Sequence, residues 1–236
     1  ARYMLRLNEM DEVSEGVEKR DFGEWVHLIL HRFHQQFPIL GEHSLDELKA
    51  ALQRISEEVF TPAIEQDYLA RAWLLRWQQA IPDYLGAQLK SETEGWRYQN
   101  GEVPFKMPVA DELTLHGRID RIDASEDGST KVLDYKMMDA TRLRNKLREP
   151  GEDVQLASYA QVYEANEAAY LSIEKNKVTT VKEQDVPALA QANIERLKEI
   201  FTQMRDGTAL PAHGVEGACT YCEMRGLCRK NDWSVG

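Results

Sequence analysis

The sequence predicts an α/β fold, a mixed central sheet flanked by helices, with a helical N-terminal part and a cysteine-containing C-terminal tail. Three observations carry this. Apolar residues in the first ninety positions recur at steps of three and four, the period of a helix face. From about 91 to 182 they shift to short alternating runs separated by turn residues and interrupted by one helical stretch. Three cysteines crowd the last 18 of 236 residues. The expected organisation is one domain over 1–236, made of a helical part (1–90), an α/β core (91–206) and a cysteine tail (207–236).

The elements follow in order. Val26, Ile29, Leu30, Phe33 and Phe37 form one helical face over 22–37, with Asp21 as its cap. Leu45, Leu48, Leu52, Ile55 and Val59 repeat the pattern, and Ser44 with Glu47 has the spacing of a capping box. A third helix is expected over 62–81 and a fourth over 82–89, each opening at a proline. Residues 94–98 then alternate, Asn100-Gly101 marks a turn, and 113–122 read as a strand. Asp127-Gly128 turns the chain into a strand over 131–137. A basic, irregular segment leads to a helix over 153–166, strands over 169–173 and 178–182, and a last helix over 186–205 that stops near Gly207. Hairpin strands followed by a crossing helix imply a mixed sheet.

Composition sets outer limits. With 42% hydrophobic and 29% charged residues the chain is globular, and no run approaches the roughly 20 apolar residues of a membrane span. The opening Ala1-Arg2-Tyr3-Met4 is no secretory signal, and a start without Met suggests a piece of a longer protein. A net charge of −11 argues against nucleic-acid binding by bulk electrostatics, although not against a local basic groove. Three cysteines are an odd number and no disulfide framework; they read as a ligand set in a reducing, cytoplasmic compartment.

The chemistry concentrates on two strands. Hairpin pairing brings Asp120 beside Asp134, and Lys136 shares the face of Asp134 because side chains alternate with period two. Two adjacent carboxylates raise each other's cost of ionisation unless a divalent cation sits between them. A lysine beside them can stabilise developing negative charge. The set therefore suits phosphodiester hydrolysis, the plainer alternative being a solvated hairpin face with an ordinary ion pair.

These residues sit in a longer pattern. Gly23-Glu24-Trp25-Val26-His27, Gly117-Arg118-Ile119-Asp120-Arg121-Ile122-Asp123, Asp134-Tyr135-Lys136 and Gln155-Leu156-Ala157-Ser158-Tyr159 occur in that order. They resemble the motifs of the PD-(D/E)xK nucleases, in particular the RecB-like branch of helicase-nuclease and CRISPR-adaptation nucleases, most closely the AddB type. Ile119 stands where the family name has its proline. The resemblance implies a restriction-endonuclease-like core and an enzyme that hydrolyses DNA with Mg²⁺ or Mn²⁺. It implies that Asp120, Asp134, His27 and the Tyr135 carbonyl hold the metal, that Lys136 positions the attacking water, and that Gln155 and Tyr159 orient the lysine, the water or the DNA. It also implies exonuclease action in repair and recombination beside a helicase partner. Glu94 falls where this branch commonly carries a glutamate at the start of the first strand.

Two further clusters remain. His27, His31 and His34 share one helical stripe, but such a stripe rarely closes around a single zinc ion. Cys219, Cys222 and Cys228 have the spacing of metal ligands, and His213 could complete a zinc site with them. The family resemblance instead implies a [4Fe–4S] cluster, its fourth cysteine lying before Ala1. Between Lys131 and Arg148 six basic residues face two acidic ones, so Arg142, Arg144, Lys146 and Arg148 are the expected DNA contacts. The alternatives are a catalytically silent DNA-binding or docking module and a stand-alone nuclease of the CRISPR-adaptation kind.

Overall fold

The computed structural model describes residues 19–148, 154–174, 176–183 and 185–208. Two compact units are distinguished, Gly16–Glu199 and a smaller one made of Ala1–Glu15 with Ile200–Gly236, of which only 200–208 are described. The cysteine tail, His213 and the first residues lie outside the described residues.

The larger unit opens with three helices, α1 (Lys19–Gln36), α2 (Leu45–Gln66) and α3 (Ala70–Thr93), with a 3-10 turn at Leu40–Glu42 between the first two. Strands β1 (Arg97–Ala110), β2 (Leu113–Ala124) and β3 (Thr130–Lys136) follow, then α4 (Ala140–Arg148) and α5 (Gln155–Tyr163). β4 (Glu167–Glu174), β5 (Lys177–Lys182) and α6 (Val186–Arg205), whose residues from Ile200 on fall in the smaller unit, complete the order. The five strands pair in sequence order, all antiparallel except β3 with β4, whose parallel pairing the two helices between them make necessary.

Each face of the sheet has its own core. Phe22, Ile29 and Phe33 of α1, Leu52 and Phe60 of α2, and Trp77 and Tyr84 of α3 pack with Tyr135, Leu171 and Ile173 on one side. Leu143 of α4, Leu156 and Tyr159 of α5, and Ala190 of α6 pack with Ile119, Val132 and Tyr170 on the other. β3 is buried on both faces, Val132 on one and Leu133 and Tyr135 on the other, with Lys131 and Asp134 buried among them.

The mixed sheet flanked by helices agrees with the fold class expected from sequence, and Ser44 caps α2 as its spacing predicts, its Oγ accepting the Glu47 N–H at 3.2 Å. Several boundaries differ. Asp21 lies in the first turn of α1 rather than at its cap. Pro62 and Pro82 do not start helices but sit inside α2 and α3, on exposed faces where the carbonyl each proline leaves unpaired meets water. The break falls instead at Asp67–Leu69, where Asp67 Oδ1 accepts the Leu69 N–H. Asn100-Gly101 is no turn: β1 runs straight through it, and the hairpin reverses at Asp111-Glu112, with Glu112 at φ 65°. The basic segment after β3 is helical, because Leu143 and Leu147 share an inward flank and Asp139 caps the first turn through Thr141 N–H.

Candidate active site

The pairing of β2 with β3 ends at Arg121↔Leu133, and just beyond it the two strands deliver Asp120 and Asp134. The Asp120 carboxylate replaces the next ladder acceptor by taking the Tyr135 N–H on Oδ2 at 2.9 Å. The Tyr135 carbonyl faces α1, where His27 Nε2 lies 3.0 Å from it. On the other side of the ring Nδ1 lies 3.5 Å from Asp120 Oδ2 and 4.0 Å from Glu102 Oε1. One imidazole nitrogen and two carboxylate oxygens, all within 4.8 Å of one another, thus converge. The two carboxylates repel each other, and together with the imidazole they form an N,O donor set of the kind that Mg²⁺ or Mn²⁺ accepts.

Asp134 occupies the adjoining side. It is fully buried on the central strand, its Oδ1 accepting Gln155 Nε2 at 2.5 Å. Oδ2 has Lys136 Nζ at 2.7 Å but no hydrogen bond of good geometry, which leaves it an under-satisfied anionic oxygen. Burial, with Asp120 adding to it, raises the Asp134 carboxyl to a pKa of about 7, and the lysine does not outweigh them. The Asp120 carboxyl is also raised, by burial first, against the pull of His27. Lys136 Nζ donates to Gln155 Oε1 at 2.9 Å, and Gln155 Nε2 also reaches the Tyr159 hydroxyl at 2.8 Å. A single glutamine on the first turn of α5 therefore fixes the lysine, the aspartate and the tyrosine together. Two neighbouring acids that raise each other's cost of ionisation are what a site suited to a divalent cation presents.

Glycine matters at two places. A Cβ on Gly117 would stand 2.9 Å from the Phe105 ring, so only glycine lets Phe105 lie across β2 and meet Tyr159 edge-on, centroids 5.9 Å apart. A Cβ on Gly101 would meet the Asp120 carbonyl, the Tyr98 hydroxyl and His31 at 3.0 to 3.1 Å. Next to it Glu102 holds φ 54°, a left-handed conformation rare outside glycine and typical of functional constraint.

Behind the site, Arg121 and Asp123 of the same motif turn to the opposite face of the sheet. Arg121 Nε and Nη2 bind the Asp123 carboxylate at 2.6 and 3.2 Å, Nη1 donates to Gln88 and to His34 Nε2, and Lys131 Nζ lies 3.6 Å from Asp123. Burial, followed by Arg121, holds His34 well below the usual histidine range, so it remains a neutral acceptor. This buried network anchors the strands from which the site projects.

The structure thus brings His27, Asp120 and the Tyr135 backbone together, and sets Asp134, Lys136, Gln155 and Tyr159 beside them. Glu94, in contrast, follows the end of α3 and pairs with Lys90 at 3.9 Å, both exposed. The acidic residue that β1 contributes is Glu102, which falls between the Gly101↔Arg121 and Val103↔Ile119 pairs, opposite Asp120. Reading Asn100-Gly101 as a turn hid it. The histidine stripe does not close: His34 is committed to Arg121 and to Tyr84, whose hydroxyl is 2.6 Å away. Arg142, Arg144, Lys146 and Arg148 ride on α4, and the three cysteines lie outside the described residues.

Comparison with known proteins gives this arrangement a context. Two proteins from Streptococcus pyogenes, each named as a subunit of an ATP-dependent helicase/deoxyribonuclease, match over 138 residues, with 27% identity in serotype M49 and 28% in serotype M6. The match covers 57% of this chain, and the chain spans only 12% of the length of those relatives. The crystal structure of SSO0001 is similar at 16% identity over 87% of this chain and 96% of that one, with a TM-score of 0.36, too loose a likeness to bear on the fold. A family model described as the PD-(D/E)XK nuclease superfamily matches residues 1–229. With that match over almost its whole length, the chain belongs to the PD-(D/E)XK nuclease superfamily.

Proposed function

We propose that the chain is the nuclease part of a helicase-nuclease subunit, hydrolysing DNA phosphodiester bonds with Mg²⁺ or Mn²⁺ and acting as an exonuclease in repair and recombination. The observation that carries this reading is the convergence of His27, Glu102 and Asp120 beside the buried Asp134 and its partner Lys136. The names of the streptococcal relatives support DNA as the substrate and a helicase as the partner. A cytoplasmic location accords with such a role; among the described residues no helix is long and apolar enough to cross a membrane.

His27, Glu102 and Asp120 would hold the ion, with Asp134 and the Tyr135 carbonyl as further candidate donors. A divalent ion bound there supplies Lewis acidity and lowers the pKa of water. Lys136 would place a positive charge where the attacked phosphate gains negative charge, and Gln155 holds its ammonium in place beside Asp134. Tyr159 fixes the glutamine amide so that its oxygen meets the lysine and its nitrogen the aspartate. In the same reading Cys219, Cys222 and Cys228 hold a [4Fe–4S] cluster with a fourth ligand outside this chain, zinc with His213 being the alternative.

The test is cleavage of end-labelled single- and double-stranded DNA with Mg²⁺ or Mn²⁺, and with EDTA as control. Asp120→Ala, Asp134→Ala and Lys136→Ala are each expected to lower the rate by about 10²-fold or more, and Glu102→Gln to weaken Mn²⁺ binding about tenfold or more in calorimetry. Folded wild-type protein that cleaves neither substrate would favour the silent DNA-binding module instead.

A further inference from the structure

We propose that the cleft between α4 and β5 is a second phosphate site, which grips the backbone of a nucleic-acid strand away from the bond being cut. It rests on the nuclease reading and adds to it a place outside the reaction centre.

The helix α4 sends its basic residues in different directions. Lys146 is half-buried, with Nζ 5.8 Å from the Tyr170 ring centroid, and Lys136 Nζ lies 5.6 Å from the same centroid. Lys146 therefore belongs to the surroundings of the reaction centre. Arg144 and Arg148, one turn apart on another flank, face β5 and line an open cleft of about 410 Å³ with Thr180, Lys182 and Glu183. Both arginines are exposed, and among the described residues neither makes an ion pair. Lys182 is paired with Glu167 at 2.9 Å, and among the described residues Glu183 is the one acidic group lining the cleft, against three basic ones.

On a chain of net charge −11 a cleft with two exposed arginines and an excess of basic groups is not average surface. Two arginine forks and a threonine hydroxyl match the planar, oxygen-rich face of a phosphodiester, and arginine binds phosphate in two-pronged fashion. One nine-residue helix carries both Lys146 and the arginine pair, about 13 Å long at 1.5 Å per residue. A continuous polyanion can reach both places at once, whereas a single nucleotide fills only one.

Fluorescence anisotropy with a short 5′-labelled oligothymidylate in EDTA reads the cleft, and cleavage of the same strand in Mg²⁺ reads the centre. Arg144→Ala/Arg148→Ala is compared with Lys49→Ala/Arg71→Ala, an equal charge change at exposed positions of α2 and α3. The cleft variant is expected to bind about tenfold more weakly, and its log-log salt slope to fall by about 1.4, at roughly 0.7 per lost contact to a single strand. Hydrolysis of the p-nitrophenyl ester of thymidine monophosphate, which occupies only the centre, should fall far less than oligothymidylate binding does. A cleft variant that binds no more weakly than the control pair overturns the proposal while cleavage still stands. A wild type that binds through the arginines without cleaving overturns the nuclease reading alone.

Discussion

Burial holds the Asp134 carboxyl at a pKa of about 7, with Asp120 pushing the same way, although Lys136 stands 2.7 Å off. A carboxyl whose pKa is higher in the folded than in the unfolded chain contributes stability that is complete below the unfolded value, here 3.8, and fades as pH rises towards 7. In EDTA the melting temperature should therefore fall from pH 4 to pH 7 through this site, whereas Asp134→Asn should flatten the profile and raise the pH 7 value by a few degrees. Adding Mn²⁺ should stabilise the wild type and leave the variant nearly unmoved. Differential scanning calorimetry across that range checks both, and a variant with the wild-type profile would mean that Asp134 ionises without penalty. At this scale the sequence was informative where spacing fixed the geometry: alternation put Asp134 and Lys136 on one face, and hairpin pairing put Asp120 next to them. It was silent on Glu102, whose approach depends on a left-handed backbone that no spacing rule expresses.

At the level of elements, the crossing of Phe105 over Gly117 links β1, β2 and α5. Gly117→Ala places a Cβ 2.9 Å from the ring and must push Phe105 aside, and with it the prop of Tyr159. The expected cost is about 1–3 kcal/mol in urea unfolding, and Phe105→Leu added to Gly117→Ala should recover part of it. No recovery in the double variant would show that the cost arises elsewhere, in the backbone of β2. The long helices were legible because apolar periodicity persists over several turns in each, and so were β4 and β5. α4 was not, since nine residues with two inward leucines leave too short a period among six polar positions. The prolines misled for a different reason: a helix tolerates one where the carbonyl it frees faces water, and exposure is not written in the residue itself.

For the whole molecule, the acidic surface and the basic cleft work in one sense, repelling a polyanion from most of the surface and leaving few places where it can settle. The cysteine tail calls for a test on the natural polypeptide, purified without oxygen. About four irons per chain are expected if a [4Fe–4S] cluster forms, and Cys222→Ser should lose them together with the visible absorbance. Iron at background with stoichiometric zinc would instead favour the site completed by His213. One last consequence follows from the sheet. In the order β1 to β5, β1 stands at an edge, and it contains Pro104 and Pro108, paired to Arg118 and Thr114 across the ladder. A residue without an N–H survives in a ladder only where that position needs no donor inward, so both prolines blank the outer rim. A stray strand finds missing rungs there, and β1 protects the protein from stacking edge to edge into aggregates even though it is fourteen residues long.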